Sequence, residues 1–388
     1  MSRASPLVSR GLALYFLSAF GSMTSFYLLL SVVPLYATAA GAGGVGAGLT
    51  TGALMLATVA AELATPALLA RFGYRLVLAA GLLLLGAPAL ALIAFSSLAA
   101  ILAVSLVRGV GLAITVVAGS SLVATLVPAE RRSEGLGLLG VVVGVPAVLA
   151  LPLGVWLAEQ VGFAPVFIAG AMVSLVCLVV MPALPGRVAG AREPVGVVAG
   201  LRTRAQLRPA MVFLLTAMGT GIVVTFLPLA TRASGRLAAV ALFANTVATT
   251  LARWSAGRYG ARHAQAGLLV GGVVAAALGM LALALTPSPV AVVAGAVLLG
   301  LGFGVAQNAS LTLMFDRVSA SGYDMVSAVW NLAYDAGMGL GAAGFGVLAV
   351  RAGYAGAFGV VAGLMLLALA PVWRDRGWLV AADEAVGT

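Results

Sequence analysis

Three ionisable side chains lie within largely apolar stretches of this sequence, namely Glu62, Arg108 and Asp335. Placing an ionisable group at membrane depth costs a few kcal/mol or more, so each of them is a functional candidate. A low-dielectric surrounding favours the neutral form of a carboxyl group, so Glu62 and Asp335 are suited to bind and release a proton near neutral pH. These residue types therefore predict proton transfer, with an arginine that acts on a neighbouring carboxylate.

Asp335 is the first choice for the protonation site. Asn331 precedes it by four residues, so both side chains share one helix face, and Trp330 and Tyr334 border that face. The alternative is a structural aspartate that hydrogen-bonds to a neighbouring helix.

Glu62 and Arg108 are candidates for the rest of the coupling machinery. Glu62 lies nine residues before Arg71, which places it about 13 Å from the inner end of its helix. It is either a second proton carrier or the ion-pair partner of Arg108. Arg108 favours the charged form of a nearby carboxylate, which would couple protonation and release to the opening of a cavity. Its alternative role is to hold two helices together.

A further set of polar and aromatic side chains is suited to line a substrate cavity together with Asn331, Trp330 and Tyr334. These are Tyr15, Ser22, Phe26, Asn245, Gln307 and Asn308. Aromatic rings can stack on a lipophilic substrate, whereas amide groups suit a polar one. The alternative is ordinary packing, because small polar side chains commonly hydrogen-bond between membrane helices.

The composition requires a lipid surrounding. Of the 388 residues, 62% are hydrophobic and 8% are charged, whereas about 25% of a soluble domain is charged. All 21 basic residues are arginine and the net charge is +10. Because these arginines cluster between apolar stretches, they indicate membrane orientation rather than nucleic-acid binding.

No residue pattern indicates an enzyme, a cofactor or a metal site. The one histidine, His263, lies among arginines in a predicted cytoplasmic loop, and no His/Cys/acid cluster has metal-ligand spacing. Two matches to G-x-G-x-x-G, at 135–140 and 339–344, follow no strand and have no acidic residue at the ribose distance. A channel is disfavoured because no charged ring or filter loop is evident.

Apolar runs of roughly 20 residues, long enough to cross a bilayer as helices, occur six times on each side of a basic segment. They lie near 11–36, 47–70, 75–95, 98–127, 134–158 and 163–184, then near 209–231, 237–256, 265–286, 289–314, 325–350 and 353–373. We therefore predict an all-α polytopic membrane protein with twelve transmembrane helices. Its parts are an N-terminal six-helix bundle at 1–184, a cytoplasmic basic linker at 185–208, and a C-terminal six-helix bundle at 209–388 that ends in a short cytoplasmic tail.

The arginines fix the predicted orientation. With the N-terminus inside, the cytoplasmic segments carry 16 arginines and the outer loops carry three. Because cytoplasmic loops of membrane proteins are enriched in basic residues, both termini and the linker are expected in the cytoplasm.

The two halves repeat a short turn motif. Arg71-Phe-Gly73-Tyr-Arg75 follows the second span of the first half, and Arg258-Tyr-Gly260-Ala-Arg262 follows the second span of the second half. A sharp turn needs glycine where φ is positive, and arginines hold such a loop at the headgroups. The match favours a duplicated sequence and a role for these residues in conformational change.

The fifth predicted span carries glycines and prolines that also predict a conformational role. Gly140-x-x-x-Gly144, like Gly337-x-x-x-Gly341, predicts close approach of another helix. Pro146 and Pro152 remove backbone donors and would kink the span.

Six plus six spans, a basic central loop and a repeated R-[FY]-G-x-R turn resemble the major facilitator superfamily. Leu106-Val-Arg108-Gly-Val-Gly111 resembles its fourth-helix motif, and Gly140–Glu159 resembles the fifth-helix motif of its exporters. The resemblance implies a drug or metabolite:proton antiporter that works by alternating access. Two features depart from the family pattern: Ala70 stands where an aspartate is usual, and the first span has no acidic residue.

These observations predict a secondary transporter in a bacterial inner membrane that exports small lipophilic molecules in exchange for protons and acts as a monomer. The alternative on the same fold is an exporter or importer of a polar metabolite such as a sugar, an amino acid or a metallophore. We expect no cofactor and no partner beyond the substrate, protons and the lipid bilayer.

Overall fold

The computed structural model describes residues 9–127, 132–186, 203–231, 235–259, 265–318, 323–367 and 369, and all regular elements among them are helical. The predicted all-α fold is therefore confirmed. The α-helices are α1 Arg10–Leu30, α2 Val32–Ala37, α3 Gly43–Gly86, α4 Leu98–Leu126, α5 Arg132–Val161, α6 Phe163–Val176, α7 Arg204–Ala230, α8 Gly235–Tyr259, α9 Gln265–Leu283, α10 Pro289–Phe315 and α11 Tyr323–Leu367. A π-helical turn, Thr38–Ala42, precedes α3, and the 3₁₀ segments Ala87–Ile93 and Cys177–Ala183 follow α3 and α6.

Several helices begin where a serine can satisfy the first free backbone donors. The Ser9 hydroxyl accepts a hydrogen bond from Leu12 N at 3.3 Å, and Ser97 and Ser288 cap α4 and α10 in the same way. Serine is a preferred N-cap because its side-chain oxygen reaches the N–H groups of the first turn. These caps define the starts of helices whose interiors are largely apolar.

Glycines with positive φ reverse the chain between successive helices. Gly73 (φ 77°, ψ 169°) interrupts α3, Gly353 (φ 67°, ψ 172°) interrupts α11, and Gly162 (φ 82°, ψ 178°) separates α5 from α6. This backbone region is essentially accessible to glycine alone. The prediction of a positive-φ glycine at position 73 is thus confirmed, and α3 and α11 each consist of two arms.

Eight helical stretches in the described part of the chain are long and apolar enough to cross a membrane, with Gly267–Leu283 as a shorter apolar helix. The longest, Arg10–Ile93, has 84 residues and would extend about 126 Å if straight, against a hydrocarbon core of about 30 Å. Its internal glycines divide it into successive crossings. The helix bounds are therefore consistent with the predicted twelve spans.

The chain forms two compact units. The first consists of Met1–Ala42 and Ala53–Pro194, and the second of Gly43–Gly52 and Val195–Thr388. The start of α3 therefore packs with the second unit, where the hydroxyls of Thr51 and Thr225 lie 2.9 Å apart. Of the predicted linker, residues 187–202 lie outside the described residues, as does the C-terminal tail beyond residue 369.

Glycines allow the same close helix packing in both units. In the first, a Cβ on Gly109 of α4 would meet the carbonyl of Leu54 on the first arm of α3, and one on Gly111 would meet the second arm. In the second, Gly300 and Gly302 of α10 stand equally close to α8 and α9. The fourth span of each half thus packs between its second and third spans.

A second internal repeat supports the duplication. The sequences LAEQVGFAPVF at 157–167 and LAVRAGYAGAF at 348–358 share their glycine, the following aromatic residue and a phenylalanine four positions later. Gly162 and Gly353 adopt the same turn conformation, and Phe167 and Phe358 are both fully buried. The last two spans of each half therefore share the same turn.

Candidate functional site

Three helices of the second unit bring four aromatic rings together. The Phe213 ring of α7 stacks on Trp330 of α11 with centroids 4.4 Å apart and an angle of 10° between the planes. Phe303 of α10 and Tyr334 of α11 each lie within 6.0 Å of Phe213 and are nearly parallel to it. Since parallel offset rings attract one another, this aromatic cluster holds α7, α10 and α11 in a fixed arrangement.

Hydrogen bonds fix the orientation of Trp330. Its indole Nε1–H donates to Ser310 Oγ of α10 at 3.1 Å, and the Ser310 hydroxyl donates to the main-chain oxygen of Gln307 at 3.4 Å. Gln307 lies one turn from both Ser310 and Phe303 and is half-buried, as are Trp330 and Tyr334. The cluster therefore has two buried rings, Phe213 and Phe303, and two that reach the surface of the unit.

The predicted protonation site lies beside this cluster. Asp335 directly follows Tyr334 on α11, and only 7% of its surface is exposed. Asn331, one helical turn earlier, is half-buried. Trp330 and Tyr334 thus belong to the aromatic cluster, while Asn331 and Asp335 lie on the same stretch of α11 and their shared site stays a prediction.

Arg108 lies deep in the first unit, with only 1% of its surface exposed. Its Nε–H donates to the main-chain oxygen of Leu85 at 3.1 Å and its Nη2 donates to that of Ser25 at 3.5 Å. Glu62 on α3 is half-buried. The Arg108 guanidinium hydrogen-bonds to main-chain oxygens of α1 and α3, and its ion pair with Glu62 stays a prediction.

The predicted cavity residues of the first span lie in the packed interior of the first unit. Tyr15 belongs to its hydrophobic core, with its phenol oxygen against Gly119. The Ser22 hydroxyl donates to Ala19 O at 3.0 Å, and the Phe26 ring meets Tyr27 edge-on at 4.8 Å. All three side chains are buried, and their role in a substrate cavity stays a prediction.

Asn245 and Asn308 both lie between α8 and α10. Asn245 Nδ2 donates to the main-chain oxygen of Ala296 on α10 at 2.8 Å. Asn308 Nδ2 is 3.4 Å from the point where a Cβ on Gly257 of α8 would lie. Asn245 therefore joins two helices, whereas half-buried Asn308 stays a cavity prediction.

The turn at Gly73 is bound to the end of the 3₁₀ segment Cys177–Ala183. The Arg75 guanidinium donates to Leu184 O from Nε at 3.1 Å and from Nη2 at 2.7 Å. Tyr74 N donates to Gly186 O at 2.9 Å, and the Arg71 guanidinium lies 5.2 Å from the Phe72 ring centroid. In the matching motif, Gly260, Arg262 and the side chain of Arg258 lie outside the described residues.

The close approach predicted at Gly140 and Gly144 is wrong. A Cβ on either residue would meet no heavy atom within 4 Å in the described structure. The close contact of α5 occurs instead at Gly154, which faces the carbonyl of Leu28 on α1. Pro146 and Pro152 are buried within the same helix. The motif Gly337-x-x-x-Gly341 does give close packing, against Leu214 and Met218 of α7.

An open apolar groove of about 450 Å³ separates the first arm of α3 from α4. It is lined by Ala57, Ala60, Ala61, Leu106, Val107 and Val110. Neither Glu62 nor Arg108 is among the residues that line it. Among the described residues, no group of three His, Cys, Asp or Glu side chains could hold a metal ion.

Sequence reasoning missed Phe213 and Phe303, which complete the aromatic cluster. Each stands in an apolar run, where a ring that faces lipid has the same sequence surroundings as one that faces a site. The available signal was spacing: Phe303, Gln307 and Ser310 follow helical periodicity opposite Trp330 and Tyr334.

Comparison with known proteins identifies the fold. The family model described as Major Facilitator Superfamily matches residues 15–322. Among curated proteins, none matches this sequence.

Solved transporter structures share the architecture at low sequence identity. The nucleoside transporter NupG superposes with a TM-score of 0.75 at 14% identity, over 92% of this chain and 98% of that one. A peptide transporter of the POT family gives a TM-score of 0.76 at 17% identity, over 95% and 94%. A bacterial homologue of the human lysosomal transporter Spinster gives 0.76 at 15%, over 96% and 97%.

Proposed function

The chain belongs to the Major Facilitator Superfamily, and from that premise we propose that it is a proton-coupled exporter of small lipophilic molecules. Family membership and the transporter neighbours make it a multi-pass membrane transporter rather than an enzyme. In such folds, two halves rock about a central site to give alternating access. What remains to be assigned is the class of cargo and the source of energy.

The observation that carries the proposal is the buried carboxyl of Asp335 next to the half-exposed rings of Trp330 and Tyr334. A flat lipophilic molecule gains most by stacking on aromatic surface. A carboxylate beside that surface attracts a cationic cargo and loses the attraction when it binds a proton. Cargo and proton thus compete for one site, which is the requirement for exchange.

Arg108 and Glu62 have supporting roles in this scheme. Arg108 is buried against α1 and α3, and a charge at that depth is expensive to keep without a function. We assign Arg108 to stabilising the charged state of a carboxyl that approaches it during the transport cycle. Glu62 is the candidate for a second proton carrier.

The arginine distribution supports an orientation with both termini in the cytoplasm. We also assign the chain to a bacterial inner membrane, because the bias to Ala, Gly, Val and Arg with no lysine is typical of a GC-rich bacterial genome. Each unit has its own hydrophobic core clusters, so a monomer suffices for the fold.

The alternative cargo is a polar metabolite with a flat ring. Gln307 and Asn331 present amide groups next to the aromatic cluster, and two of the structural neighbours are named as transporters of nucleosides and of peptides. These amide groups would hydrogen-bond to the polar edge of such a molecule. With a lipophilic cation bound, they would hydrogen-bond to water instead.

A flux assay in proteoliposomes distinguishes the two cargo classes. We expect an imposed pH gradient to drive transport of ethidium, a planar aromatic cation, and to leave a nucleoside and a disaccharide unmoved. Trp330→Ala should lower ethidium transport at least tenfold, while Trp254→Ala, an exposed tryptophan on α8 of the same unit, serves as the matched control. Transport of the nucleoside alone would support the polar alternative and overturn the lipophilic assignment.

A further inference from the structure

A second apolar groove, of about 360 Å³, runs along the second unit between α7 and the two arms of α11. Met218 and Ile222 of α7 form one wall, and Val360 and Leu364 of the second arm form the other. The floor includes Gly344, where a Cβ would meet no atom within 4 Å. Arg351 lines the same groove and is its only charged residue. We call it the Arg351 groove.

The depth of the groove matches one leaflet of a bilayer. From the reversal at Gly353, Gly341 lies 12 residues back along the first arm and Leu364 lies 11 residues along the second. At 1.5 Å per residue these positions are about 16–18 Å from the turn, close to half of the roughly 30 Å hydrocarbon core. The groove therefore extends from one membrane surface to the middle of the bilayer.

The α7 wall has the same depth. Phe226, near the C-terminal end of α7, packs against Phe345 with centroids 4.8 Å apart and lies 6.4 Å from Tyr354, so α7 ends at the level of the Gly353 turn. Met218 lies 12 residues before the end of α7 at Ala230, which is again about 18 Å. The α7 wall and both arms of α11 therefore line the groove to the same depth, about 16–18 Å from the Gly353 turn.

The charge in the groove stands at its membrane-surface end. Arg351 is two residues from Gly353 and its side chain is exposed. A guanidinium group pairs with phosphate through charge-assisted hydrogen bonds. An apolar trough one leaflet deep, with a cation at the headgroup level, is complementary to a single lipid. A partner helix would need a face that continues across the whole bilayer.

We propose that the Arg351 groove is a binding site for an anionic glycerophospholipid, with one acyl chain in the trough and the headgroup phosphate on Arg351. Three apolar lining residues are exposed, namely Val347, Val360 and Leu364, with 47% of Val360 accessible. A bound acyl chain would cover this surface. The site does not depend on the proposed transport activity and stands independently of it.

Native mass spectrometry of the full-length protein tests the site. The protein is titrated with phosphatidylglycerol and, separately, with phosphatidylcholine, and the bound-lipid population is counted. We expect the native chain to prefer phosphatidylglycerol and Arg351→Gln to reduce that preference about fivefold, the effect of one basic residue near a lipid headgroup. Gly344→Leu, which fills the trough, should lower binding of both lipids and leave the preference unchanged.

Arg236→Gln is the matched control, because Arg236 is an exposed arginine at the start of α8 that does not line the groove. It should bind both lipids as the native chain does. An equal loss of preference in Arg236→Gln would mean that surface charge alone selects the lipid, and would overturn the proposal. Unchanged binding in both Arg351→Gln and Gly344→Leu would overturn it as well.

Discussion

Replacing Arg108 by methionine separates the two roles that this arginine could have. If Arg108 mainly joins helices, methionine should unfold the first unit at much lower temperature. If it serves the transport cycle, methionine should leave the fold intact and abolish proton-driven transport. Its hydrogen bonds to main-chain oxygens of α1 and α3 favour the first role, whereas the cost of burying its charge favours the second.

The magnitude follows from two opposing contributions. A hydrogen bond from a charged donor contributes about 1.5–3 kcal/mol, and at 3.5 Å the bond to Ser25 is a weak one, so the bonds together give roughly 3 kcal/mol. Burying the guanidinium costs several kcal/mol, which methionine does not incur. We expect the free energy of unfolding to change by less than about 2 kcal/mol in either direction.

The assay is thermal unfolding in detergent, followed by transport in proteoliposomes under a pH gradient. A change of about 2 kcal/mol corresponds to roughly 4–8 °C in Tm for a unit of this size. Leu299→Met is the matched control, since Leu299 precedes Gly300-x-Gly302 as Arg108 precedes Gly109-x-Gly111. The control should keep both stability and transport. A loss of more than about 3 kcal/mol with Arg108→Met, or transport that persists, would refute the reasoning.

Three further predictions concern individual contacts. Gly353→Ala forces a side chain into a backbone region that only glycine adopts readily, so unfolding should become easier by about 1–3 kcal/mol; Gly359→Ala, with open space around it, should cost nothing in the same thermal assay. Arg75→Gln removes the bonds to Leu184 and should speed amide hydrogen exchange at the Gly73 turn. Unchanged exchange at this turn would contradict the prediction. Phe303→Ala should weaken ethidium binding and lower stability by about 3–5 kcal/mol, and normal binding by the folded variant would exclude the aromatic cluster as the site.

Much of the fold follows from the sequence because hydrocarbon imposes a simple rule on it. Backbone groups in lipid must be satisfied within each segment, so apolar runs of the right length become helices. Gly73 could be predicted as a reversal because Arg71 and Arg75 flank it in a repeated motif. Gly353 has Arg351 before it but no arginine after it, and its turn is recognised from its positive φ, which matches that of Gly162.

The candidate site is less predictable, for a physical reason. Asp335 stands out because a carboxyl among apolar residues is costly, and the structure buries it as expected. Phe213 and Phe303 do not stand out, since lipid and protein interior are equally apolar and leave the same pattern in the sequence. The same ambiguity explains the wrong prediction at Gly140 and Gly144. Their spacing would allow another helix to approach closely, but none does so in the described structure.

The central claim is that Asp335 takes up the proton that exchanges for the cargo. The most direct measurement is proton movement in proteoliposomes that enclose a pH-sensitive dye, started by adding ethidium. The native protein and Asp316→Asn, which changes an exposed carboxylate after α10, should both move protons with the cargo. Asp335→Asn should move none, and proton movement with the cargo that survives in Asp335→Asn would contradict the account.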